Sequence, residues 1–149
     1  MRDLLLPPNA GLRAADTPVT LHSFRAFARV NIDPTNPAYR VPLERSAGAL
    51  LAAVGSDRDV VLRGSIGSGK YVDVLLPILG ARLMFPVHFV WRVDMSRGGL
   101  MLRCAAAGVE LDYVPLDGAA RHGQRPPKLE PIRATRAAPP SRAAKTGSR

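Results

Sequence analysis

Residues 60–80 read VVLRGSIGSGKYVDVLLPILG, and this stretch decides the fold. Val60, Val61 and Leu62 form a short, largely β-branched run closed by Gly64, which suits a buried strand. Glycines at 64, 67 and 69 make the turn that follows. From Lys70 a helical pattern begins, and Pro77 must bend or end it, because proline lacks an N–H and crowds the preceding turn. Strand, glycine-rich turn and helix in that order are the first half of a βαβ unit, so a parallel partner strand is expected after the helix.

Residues 81–86, ARLMFP, supply that partner, and the mixed segment VHFVWRVD leads on to a third helix beginning near Ser96. Leu100, Met101, Leu102, Cys104 and the alanines at 105–107 make this helix apolar nearly all round, which predicts burial until Gly108 stops it. Val109, Leu111 and Tyr113 then alternate with Glu110 and Asp112, the period of a half-buried strand. In the other direction, the break SDRD at 56–59 follows a helix marked by Leu43, Ala47, Leu50, Leu51 and Val54, with Gly55 as its stop. Residues 33–42, DPTNPAYRVP, hold three prolines and read as a loop. Residues 19–32 alternate imperfectly and read as one or two strands, and residues 1–17 as a loose leader without periodicity. Helices and strands alternating from residue 43 predict a small three-layer α/β domain over 18–117, Rossmann-like in its mostly parallel sheet with flanking helices. Ligands of such sheets bind beyond the carboxyl ends of the strands.

The formal charge of +9 on 149 residues is unevenly spread: residues 18–117 carry eleven basic and nine acidic side chains, residues 118–149 eight and one. The tail is rich in Ala, Arg and Pro with few large apolar residues, so it is expected to be disordered and cationic. Such an arm attracts nucleic-acid phosphate nonspecifically, or merely solubilises the chain. Cys104 is the single cysteine, which excludes an internal disulfide and suits a reducing, cytoplasmic setting. The leucines at 4–6, stopped by Pro7 and Pro8, fall short of a signal-peptide core of about 7 to 15 residues. No run reaches the roughly 20 apolar residues of a membrane span. His22, His88 and His122 share no metal-ligand spacing, so no metal is expected, and nothing names a cofactor.

Gly64-Ser65-Ile66-Gly67-Ser68-Gly69-Lys70-Tyr71 resembles the P-loop pattern G-x-x-x-x-G-K-[ST] and lies between strand and helix as that motif requires. The resemblance implies backbone amides cradling a phosphate, with Lys70 as a point charge. It departs from the pattern at Tyr71, where the motif's magnesium-holding hydroxyl should stand. The alternative is a plain strand-to-helix turn with Ser68 as N-cap. A second constellation, Arg92-Val93-Asp94-Met95-Ser96-Arg97-Gly98-Gly99, joins two arginines to a helix start that Asp94 or Ser96 can cap. Gly98 and Gly99 cost that helix about 1 kcal/mol each relative to alanine. They either open exposed amides to a ligand or permit tight packing. Trp91 suits a core position or a stacking surface.

If the first two strands are parallel neighbours, both loops emerge on one side. Ser65, Gly67, Ser68 and Lys70 then face Arg92, Asp94, Ser96 and Arg97 across an anion site. Asp94 and Tyr71 are the candidate acid–base residues. Three function classes follow: a phosphate- or nucleotide-handling enzyme, a nucleic-acid-associated accessory protein using its tail, and a non-catalytic interaction module.

Overall fold

The computed structural model describes residues 2–124 and 126–131 as a mixed α/β domain. Helix α2, Pro37–Val54, starts where Asn36 accepts a hydrogen bond from the Ala38 amide at 3.1 Å and Pro37 takes the first helical position. Asparagine before proline is a strong helix start, because proline's missing N–H is one no helical residue would have satisfied. It extends the helix through half of the segment expected as a loop. Tyr39, Leu43 and Ala47 recur every four residues and are fully buried. They pack on helix α3, Gly69–Leu79, through Val72, Leu75 and Leu79. The Tyr39 hydroxyl crosses this seam and donates to the Lys70 carbonyl at 2.8 Å. Pro77 lies inside α3 without ending it, and Gly80 closes the helix at φ 56°.

Strand β3, Val60–Val61, pairs in parallel with β4, Leu83–Pro86, in the register Val60 to Leu83 and Val61 to Met84. Strand β5, Tyr113–Pro115, pairs with the other edge of β4 but runs antiparallel, Met84 facing Pro115 and Pro86 facing Tyr113. The three-stranded sheet is therefore mixed, in place of the mostly parallel sheet expected. The cause lies in helix α4, Asp94–Ala107, which buries only Arg97. A parallel crossover needs a helix that carries the chain back across the sheet face. Here the chain stays near the end it left: the Val87 amide, just past β4, donates to the Asp112 carbonyl at 3.1 Å.

The expectation of a buried third helix fails for the same reason. Met95 is 88% and Leu102 71% exposed. Apolar residues scattered around a helix do not make a stripe that a single sheet face can cover. Gly108, in the left-handed conformation at φ 64°, ends α4 as expected.

Residues 19–32 form helix α1, Leu21–Phe27, rather than strands. The Thr20 hydroxyl accepts from the Ser23 amide at 3.1 Å and the Ser23 hydroxyl accepts from the Thr20 amide at 3.0 Å. This reciprocal cap satisfies two amides at once and outweighs an imperfect alternation. In the segment expected as a loose leader, Leu4–Leu5 (β1) and Arg13–Ala14 (β2) form an antiparallel pair. Gly11 is buried at φ 63°, where a Cβ would lie 2.3 Å from the Pro42 carbonyl oxygen. The next amide, Leu12, donates to the Ser46 hydroxyl at 2.8 Å, so this segment is fastened to α2. Beyond β5, the described residues of 118–131 carry neither helix nor strand. Residues 132–149, most of the expected disordered tail, lie outside the described residues.

Candidate functional site

Because β3 and β4 are parallel neighbours, the chain leaves both at one end of the sheet. The loop after β3 and the turn after β4 face each other there across a cleft of about 380 Å³. Ser65, Ile66 and Gly67 form one wall, and Phe89, Trp91, Arg92, Val93, Asp94 and Arg97 the other. Arg121 and His122, from the segment after β5, complete it.

Arg97 is the anchor. Its side chain is buried where α4 begins, with the guanidinium carbon 6.0 Å from the centre of the Phe89 ring. One guanidinium nitrogen donates to the Arg92 carbonyl at 2.6 Å and the other pairs with the Asp94 carboxylate one helical turn back. Burial lowers the pKa of Arg97, and the nearby Tyr71 phenol acts in the opposite sense. Arg92 donates from Nε to the His88 carbonyl at 2.9 Å and from Nη1 to the Ser96 hydroxyl at 3.2 Å. Ser96 is thereby occupied by Arg92, and the residue in the cap position is Val93, which has no side-chain donor or acceptor. The first amides of α4 thus lack a side-chain cap, and the positive end of the helix dipole is left for the Asp94 carboxylate or another anion.

Of the residues expected at the site, Ser65, Gly67, Arg92, Asp94 and Arg97 line the cleft, while Gly64, Ser68, Gly69, Lys70, Tyr71, Ser96, Gly98 and Gly99 do not. Lys70 is exposed. Ser68 holds the N-cap position of α3 without a side-chain cap bond, and its buried hydroxyl has no partner. The carboxylate of Asp73 leans back over Gly69, so that a Cβ there would fall 2.0 Å from Oδ2. A negative group therefore already sits beside the turn that would cradle a phosphate in a P-loop. The Tyr71 ring lies beside Gly64, 3.4 Å from the position of an added Cβ. Gly98 faces open space, and Gly99 lies 3.5 Å, measured from an added Cβ, from the Leu129 side chain.

Phe89, Arg121 and His122 are lining residues that local sequence reasoning misses, and Trp91, expected in the core or as a stacking surface, lines the cleft as well. Trp91 is 48% exposed rather than a core residue, and its backbone has φ 58°. Its indole meets the His122 ring edge-on, with centroids 5.7 Å apart. The only local signal was the neighbouring pair Trp91-Arg92, an aromatic beside a cation. A second depression of about 400 Å³ lies along α3, lined by Val72, Leu76 and Pro77 with Asp73, Asp117 and Arg121. Its two carboxylates against one cation make it the poorer place for an anion.

Among the described residues no cluster of His, Cys, Asp and Glu is arranged to hold a metal ion, and no helix is long and apolar enough to cross a membrane. Comparison with protein-family models, with curated proteins and with solved structures finds no match. The nucleic-acid reading of the tail concerns mainly residues 132–149, outside the described residues.

Proposed function

We propose that this domain binds a small phosphate-bearing or otherwise anionic molecule in the cleft beyond β3 and β4. The observation that carries the reading is the pairing of buried Arg97 with Asp94, a carboxylate 88% exposed on its side chain, at a helix start with no side-chain cap. Asp94 is an anion held where a ligand's anion would sit. A phosphate offers more acceptor oxygens to the same guanidinium and amides, and Arg92 and Arg121, which also line the cleft, add charge. The ligand displaces the exposed carboxylate rather than filling a vacant position.

This reading places the anion on the Arg97 side of the P-loop-like turn. Titration calorimetry with inorganic pyrophosphate tests it. Asp94→Asn removes the competing carboxylate and is expected to tighten binding several-fold, Arg121→Ala to weaken it about tenfold, as loss of a charged hydrogen bond implies, and Lys70→Ala to leave it unchanged. Loss of binding in Lys70→Ala with none in Arg121→Ala would return the site to the P-loop arrangement, and no saturable binding of pyrophosphate would reject the anion reading. Asp94 acts as an acid–base group if Asp94→Asn abolishes turnover of a phosphoester that it still binds.

A further inference from the structure

We infer that the ligand of this cleft carries a planar ring that stacks on Trp91, which makes a single nucleotide its chemical class. The inference rests on the anion-binding reading and adds the other half of the molecule. Trp91 is the only tryptophan in the chain, and a residue of that size ordinarily contributes to the core. Here it stands half exposed on the rim of a cleft that also holds Arg92, Arg97 and Arg121. It is also the one non-glycine described residue with a positive φ, a conformation L-residues adopt at a cost.

The edge-on contact with His122 occupies at most one face of the indole. The chain at Gly123 passes beside the ring, where an added Cβ would stand in ordinary contact at 3.7 Å, yet 48% of Trp91 stays exposed. A half-exposed indole lining the same cleft as three arginines matches a ligand that is flat and neutral at one end and anionic at the other. Nucleobases stack on aromatic side chains with little regard to base identity, while the phosphate is held by cations and helix amides. The volume of about 380 Å³ lies near the lower end of small-molecule sites, which run from roughly 300 to 1,000 Å³, and so suits one nucleotide rather than a strand.

Because Trp91 is the sole indole, its fluorescence reports directly on this rim. The test titrates the full chain with adenosine 5′-monophosphate, ribose 5-phosphate and inorganic phosphate, by fluorescence and by calorimetry. The nucleotide is expected to quench Trp91 and to bind about tenfold or more tighter than the sugar phosphate, the gain that stacking supplies. Trp91→Phe should keep most of that preference and Trp91→Ala should erase it. Trp91→Gly suits the positive φ and so guards against misfolding as the explanation. Equal affinity for nucleotide and sugar phosphate overturns the stacking inference and leaves the anion site standing, and so does a nucleotide preference that survives in both Trp91→Ala and Trp91→Gly. No binding of any of the three removes both readings. An oligoadenylate that binds far more tightly than the mononucleotide would overturn the assignment to a single nucleotide.

Discussion

Helices α3 and α4 are both rich in apolar residues, yet α3 buries Val72, Val74, Leu75 and Leu79 while α4 buries only an arginine. The difference is one of arrangement. In α3 the large residues recur three and four apart and make a stripe that α2 and β4 cover. In α4, Leu100, Met101 and Leu102 follow one another and point in three directions. Apolar content alone does not secure burial; a face does. The helix with the weaker attachment is the one whose first turn carries Arg97, so the site stands on the less buried element of the pair.

Truncating one leucine on each helix tests this contrast most severely. Leu75→Ala is expected to cost about 2 to 5 kcal/mol in urea unfolding, because it empties space in a closed core. Leu102→Ala, on a side chain 71% exposed, should stay within about 0.5 kcal/mol. Similar losses at both positions would break the comparison.

The seam between α2 and α3 gives the next effect. Tyr39→Phe removes the bond to the Lys70 carbonyl and should cost about 1 kcal/mol at neutral pH. Burial, with Tyr71 adding to it, raises the Tyr39 pKa well above the ordinary phenol value near 10. The folded state therefore keeps a proton that the unfolded state loses, so this contribution is complete below about pH 10 and declines as pH rises beyond it. Alkaline denaturation should be shallower in Tyr39→Phe than in the parent protein.

On α4 the expected change is a gain. Gly98 has no atom near the position of a Cβ, so Gly98→Ala should raise stability by up to about 1 kcal/mol through helix propensity. A loss of stability there would contradict the open surroundings of Gly98.

The smallest effect is an acidic one. Asp33 accepts from the Thr35 amide at 2.8 Å and hydroxyl at 2.7 Å in the turn before α2, and these bonds lower its pKa below the ordinary carboxylate value. Its contribution is present above the unfolded-state pKa and lost as pH falls through the folded one. Asp33→Asn should slightly flatten the acid limb of the stability profile.

What was legible along the chain was what neighbours decide. The valines of β3, the glycine turn, the spacing of α3 and the left-handed stop at Gly108 are all local, and each element stands where its residues imply. The cap of α1 was equally local, in Thr20 and Ser23, but was outweighed in reading by an apparent alternation. Strand direction was not legible, because the pattern at 109–113 states that a strand exists and not from which end the chain enters it. Parallel β3 and β4 bring Ser65 and Gly67 opposite Arg92 and Arg97, an adjacency that follows once that one pairing is assumed. Arg121 and His122 required knowing where the chain goes after β5, which no short-range signal carries.

The short, mixed sheet also has a bearing on how this protein behaves at high concentration. An outer strand with free backbone groups is a template on which another copy can add its own strand. Here β3 offers a ladder of only two residues. On the opposite margin, the Leu116 amide turns inward to the Leu83 carbonyl at 2.8 Å, so the alternating geometry of an antiparallel pair sends the nitrogen of Pro115 outward. A proline nitrogen has no hydrogen to donate, and the row that would recruit a fourth strand loses a donor at the last residue of β5. Both margins are thus poor seeds for edge-to-edge aggregation, one through brevity and the other through a missing donor.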